Sequence, residues 1–192
     1  MAGNDQLEIV DRVLKDLPNF PRDIVEQWIG YYAHSEGWPP PDPLTGRWAK
    51  LLDGHPLRFW QFIRWTEELL SPMALPFTEQ SRQTILEIIS ANTRNSVNSY
   101  SLFMGEEGKP RFMSLLKFII QNGRPPKNPI VIRQGRYYDV MDGNHRLAAY
   151  ITWSQWCQID ECVKKLGFTP ATLPENISIW VGVFDSQPKI NS

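Results

Sequence analysis

The sequence predicts a mixed α/β (α+β) protein: a helical N-terminal extension over residues 1–75, followed by a small mixed sheet with flanking helices over residues 76–192. Three observations lead there. Apolar residues recur every three to four positions through most of the first 120 residues, the spacing of a helix face. After Gly123 the period falls towards two, in the β-rich runs Pro129–Ile132 and Arg136–Met141. A last apolar run, Ile177–Phe184, has the length and composition of a buried strand. With 192 residues and 42% hydrophobic composition the chain supports a substantial core.

The elements follow in order. Leu7, Val10, Leu14 and Leu17 mark a first helix that Pro18 stops. Ile24, Val25, Trp28, Ile29 and Tyr32 mark a second, with Gly37 suited to the position after its C-cap. Trp38–Pro43 carries four prolines and suits neither helix interior nor central strand. Leu44–Leu52 and Leu57–Leu70 are read as further helical segments, with Pro56 fitting a first helical turn. Ser71–Phe77 is a loop. Thr78 is a candidate N-cap for a helix containing Ile85, Leu86, Ile88 and Ile89. Asn92–Ser99 is a polar loop, and Tyr100–Met104 is expected to be a short strand. Phe112, Leu115, Leu116, Ile119 and Ile120 define a helix between Pro110 and Gly123. Gln134-Gly135 joins the two β runs as a hairpin, and a further helix starts after Gly143.

Charge excludes some functions and narrows others. Twenty basic and 21 acidic residues leave a net charge of −1, which rules out a chain-wide polyanion binder. The distribution is uneven: residues 1–75 carry −4 and residues 76–150 carry +4. Eight Lys/Arg fall between Lys109 and Arg146, against Asp139 and Asp142 only. That run is either a solvated face or a surface for nucleotide or nucleic acid. With no recognition element for base readout, DNA contact is expected to be sequence-independent, through some of Lys109, Arg111, Arg124, Lys127, Arg133 and Arg136. Two cysteines, Cys157 and Cys162, are too few for a disulfide framework and are poorly spaced for zinc. No apolar run reaches the length of a membrane span, and the N-terminus lacks a signal pattern, so a cytoplasmic protein is expected. The eight tryptophans sit at helical spacings that favour the core over base stacking.

The most informative segment is Asp142-Gly-Asn-His-Arg-Leu-Ala-Ala149, at a strand-to-helix junction. Gly143 permits a tight turn, the first N–H groups of the helix are unpaired, and His145 and Arg146 add donors at its positive end. This combination suits phosphate. Gly143, Asn144, His145 and Arg146 are the candidate phosphate and nucleotide ligands. Asp142, His145 and Arg146 are the candidate catalytic groups. Asp142 is also a candidate metal ligand, with Glu106 and Glu107 from a glycine-flanked loop. The plain alternatives stand beside these: an Asp-Gly turn, an arginine paired with a carboxylate, and a solvated acidic loop. Arg94, Asn95 and Asn98 are polar enough to reach a phosphate or base. His34 and His55 suit packing or capping better than catalysis.

The order helix, Pro-Ile-Val-Ile strand, Tyr-Tyr-Asp-Val-Met strand, Gly143-Asn-His-Arg146 and Leu-Ala-Ala149 helix resembles the ParB/sulfiredoxin superfamily over about residues 110–150. Gly143, His145, Arg146 and Ala149 match its turn motif. The resemblance implies a small mixed sheet with flanking helices, a phosphate cradle at the turn, and NTP hydrolysis or DNase activity with ATP (or another NTP) and Mg²⁺. Asn144 stands where sulfiredoxins carry their reactive cysteine, so sulfinic-acid reduction is not expected. Too few residues follow Tyr150 for the DNA-reading domain of partition proteins. A stand-alone module with a helical extension is similar to plasmid fertility-inhibition factors. That likeness implies blocked DNA transfer through type IV secretion, with secretion components or exported nucleoprotein as partners. A non-catalytic nucleotide- or DNA-binding regulator, or a module capping a partner protein, is the alternative.

Overall fold

A computed structural model describes residues 2–42, 45–52, 54–159, 161, 164–165 and 167–184, with side chains from Leu7 onward. The protein is a mixed α/β chain with nine α-helices and four strands among the described residues. It divides into two compact units, residues 1–66 with 180–192, and residues 67–179.

The first unit is built on helices and indoles. α1 (Ala2–Asp16) buries Val10 and Val13, and Leu17 is buried just beyond it. The second predicted helix runs from Arg22 to Glu36 as three abutting pieces: α2 (Arg22–Ile24), a π-helical turn (Val25–Ile29) and α3 (Gly30–Glu36). α4 (Gly46–Leu51) and α5 (Leu57–Trp60) are short. Trp28, Trp38, Trp48, Trp60 and Trp65 are all buried. Trp28 meets Trp60 edge-on at 5.4 Å, and Phe20 meets Trp65 at 5.0 Å, the offset geometry aromatic quadrupoles favour. Trp38 Nε1 donates to Asp16 (2.8 Å). These indoles are core, as their spacing implied, and are not presented to bases. His55 stacks on Phe59 at 3.8 Å, and His34 is exposed on α3.

One sequence expectation fails here. Leu57–Leu70 is not a helix: after the single turn of α5 the chain becomes β1 (Ile63–Leu70). Ile63 and Trp65 point inward while Arg64 and Thr66 are exposed, a two-residue alternation. Asn19 Nδ2 bonds the carbonyls of Trp60 (2.9 Å) and Ile63 (2.7 Å), tying down the point where helix gives way to strand.

The second unit carries the candidate site. The four strands are ordered β1-β4-β2-β3, with β2 (Ile130–Gln134), β3 (Tyr137–Asp142) and β4 (Ile177–Phe184). β2 and β3 form the predicted antiparallel hairpin, pairing Gln134 with Tyr137 and Val131 with Val140. A bulge next to Ile130 leaves Met141 unmatched and brings Asp142 opposite Ile130. α6 (Glu79–Thr93) starts at the predicted cap, the Thr78 hydroxyl accepting from Ser81 N–H at 3.3 Å. Asp139 accepts from the Thr78 hydroxyl (2.8 Å) and the Ser81 hydroxyl (2.5 Å), fastening β3 to that helix start.

A second expectation also fails. Tyr100–Met104 is not a strand but part of α7 (Ser99–Met104). Asn98 and Ser101 form a reciprocal capping box that commits the segment to helix. A 3-10 turn (Gly105–Glu107) leads into α8 (Gly108–Asn122). α8 ends at Gly123, whose φ of +68° is left-handed and whose missing Cβ would lie 2.3 Å from the Thr172 carbonyl oxygen. α9 (Asn144–Trp156) is the central helix, packed against α6 and α8 and burying Leu147, Ala148, Ala149, Tyr150, Thr152 and Trp153. Cys157 is half-buried just beyond it, and Cys162 lies outside the described residues. No described helix is long and apolar enough to cross a membrane.

Candidate functional site

The segment Asp142–Arg146 forms the expected strand-to-helix turn. Asp142 is the last residue of β3, Gly143 is the N-cap of α9, and Asn144, His145 and Arg146 form its first turn. Gly143 has φ +104°, a conformation open to glycine. Its own hydrogen is needed for space as well: a Cβ there would lie 3.0–3.1 Å from the Arg146 guanidinium and 3.1 Å from Pro129 Cα. No side chain caps this helix start. Leu147 N–H already reaches the Gly143 carbonyl (2.9 Å), so the N–H groups of Asn144, His145 and Arg146 are the ones a helix leaves unsatisfied. The helix dipole adds partial positive charge at the same place.

The side chains of the turn have distinct partners. Arg146 is mostly buried, with its side chain 11% exposed, and its guanidinium pairs with the Asp142 carboxylate. His145 turns elsewhere: its Nε2 lies 3.1 Å from the Tyr100 hydroxyl of α7. Burial, with the positive charges of Arg111 and Arg146, pulls the His145 pKa down to about 4, so the ring is neutral at pH 7. Asn144 Oδ1 is buried and has no hydrogen-bond partner among the described residues, an acceptor left over inside the turn.

The basic run is less concentrated in space than in sequence. Lys109 and Arg111 are exposed on the first turn of α8, Arg111 close enough to influence His145. Lys109 Nζ bonds Asn95 Oδ1 (3.1 Å), while Asn98 caps α7 and Arg94 is exposed. Arg124 and Lys127 lie beyond the other end of α8, about 20 Å away along the helix axis at ~1.5 Å per residue. Arg133 bonds both oxygens of Glu68 (3.2 and 3.0 Å) and sits over the Tyr138 ring. Arg136 covers Tyr137 at the hairpin tip. Lys109 and Arg111 are therefore the cations of this run, outside the turn itself, that α8 brings to the same end as its own N-terminus. Glu106 and Glu107 are exposed on the 3-10 turn, and no group of three or more His, Cys, Asp or Glu among the described residues is arranged to hold a metal.

Sequence reasoning missed Tyr100. It lies 45 positions from His145, and no local pattern joins them. The Asn98/Ser101 capping box, visible in the sequence, was the cue that Tyr100 sits on a helix. No protein-family model, curated protein or solved structure matches the chain, so the site stands on its own geometry.

Proposed function

We propose that the turn Asp142–Arg146 binds the phosphates of a nucleoside triphosphate such as ATP, with Mg²⁺, and that the chain is a phosphohydrolase acting on NTP and on DNA without sequence preference. The observation that carries this reading is the uncapped start of α9 at a left-handed glycine, with a guanidinium and an imidazole in the same turn. Backbone N–H groups hold phosphate oxygens, and Arg146 supplies a charge-assisted bond once it exchanges Asp142 for the ligand. Neutral His145 is the group available for proton transfer. When bound, Mg²⁺ would offset charge on the phosphates, and Asp142 is the carboxylate of the turn that would help hold it, which suits an ion held mainly by phosphate and water. Lys109 and Arg111 extend the positive surface along a strand of nucleic acid. The likeness to plasmid fertility-inhibition factors extends the proposal to blocked DNA transfer through type IV secretion.

The test is nucleotide titration with Mg²⁺. Arg146→Ala removes a charge-assisted hydrogen bond of roughly 1.5–3 kcal/mol and weakens ATP binding about 10- to 150-fold. Unchanged affinity in a folded variant refutes the cradle. The Asp142–Arg146 pair also favours a second reading, binding without turnover, because it leaves the turn's own carboxylate engaged. Phosphate release from ATP and nicking of plasmid DNA, both with Mg²⁺, separate the two.

A further inference from the structure

The hydrogen bond between Tyr100 and His145 is the product of three elements. Tyr100 is held on α7 by the Asn98 capping box, and its backbone N–H donates to Glu87 Oε2 of α6 (3.2 Å). Its hydroxyl reaches His145 over Gly108, the first residue of α8, which is buried; a Cβ on Gly108 would lie 2.8 Å from that oxygen. The phenol and imidazole rings meet at 5.3 Å, tilted by 62°. We propose that Tyr100 is a positioning residue for His145, its hydroxyl donating to Nε2 so that the imidazole proton resides on Nδ1.

The direction of the bond follows from the chemistry of the two groups. A phenol O–H is a far stronger acid than a neutral imidazole N–H, and an imidazole nitrogen is a better acceptor than a phenol oxygen. The ring stays neutral beside Arg111 and Arg146, and Asp142 is bonded to Arg146, not to the ring. A neutral ring must choose one tautomer, and the choice is set by what the other nitrogen bonds. The result is a histidine that offers a donor at Nδ1 without carrying charge. On the phosphate reading above, on which this use depends, that N–H adds to the donors of the α9 turn, and the same nitrogen cannot serve as a base until the proton moves.

The experiment is a long-range ¹H–¹⁵N correlation on the ligand-free full chain at neutral pH, which reports which ring nitrogen is protonated. Wild type should show the proton on Nδ1 of His145. Tyr100→Phe keeps the ring and removes the hydroxyl, and should lower the ratio of the two tautomers about 2- to 10-fold, the worth of one hydrogen bond. Gly108→Ala displaces the hydroxyl without removing it and should shift the ratio the same way, so the inference remains testable if Tyr100→Phe does not fold. A wild-type proton on Nε2, or an unchanged ratio in either folded variant, overturns it. Titrating wild type with ATP and Mg²⁺ tests the phosphate reading separately: no response of His145 ends that reading and leaves the tautomer result standing.

Discussion

Two helices of the same unit start beside the same strand, and they start differently. α6 is finished by the chain itself: Thr78 caps it, and Asp139 neutralises its first turn through two hydroxyls. α9 starts on a glycine with no side-chain cap, and the carboxylate nearest in sequence is held by Arg146. The first arrangement fastens helix to sheet. The second keeps backbone donors and dipole in reserve, at the expense of the capping stabilisation α6 enjoys. Identical backbone physics thus serves architecture at one helix and, on the proposed reading, a ligand at the other, and the residue just before the helix, threonine or glycine, makes the difference.

Acid should disturb the α9 start most. His145 is held at about 4 against an ordinary value of 6.5. Between these two values the unfolded chain binds a proton that the folded chain refuses. Stability is therefore full above pH 6.5 and falls as the pH drops towards 4, by up to about 3 kcal/mol, less where water reaches the ring. Urea unfolding from pH 7 to pH 4 measures it, and His145→Gln should flatten that part of the profile. Next comes Gly143→Ala, which strains a left-handed residue by ~1–3 kcal/mol and presses on Pro129 and Arg146. Thermal melting should show the loss, with nucleotide affinity falling alongside. Thr78→Ala at the other helix should cost about 1 kcal/mol of stability and leave nucleotide affinity unchanged. A change in affinity there would mean that the two helix starts are coupled.

The sequence was informative wherever chemistry is local. The Thr78 cap, the Gly123 stop, the hairpin at Gln134-Gly135 and the Gly143 turn each rest on a backbone demand that one or two residues express. β1 was misread because Leu57, Phe59, Trp60, Phe62, Ile63 and Trp65 satisfy a helical and an alternating period together. The Tyr100–Met104 segment was misread because aromatic and apolar residues favour strands, while the capping box before it favours helix and prevails. The turn positions of Asp142–Arg146 were legible. Their partners were not: the Tyr100 hydroxyl, the Gly108 gap and the spread of the basic run along α8 arise from packing between segments.

The fastening of β3 reaches beyond the helix it holds. β3 is an outer strand, and such strands expose backbone groups that invite pairing with another chain. Here the Tyr138 N–H bonds the Pro76 carbonyl (3.0 Å), its carbonyl accepts from Thr78 N–H (2.9 Å), and Val140 N–H bonds the Ser81 hydroxyl (2.9 Å). The outer rim of β3 is thereby occupied by its own chain, so the hairpin next to the candidate site is closed to strand addition, and aggregation by that route is blocked.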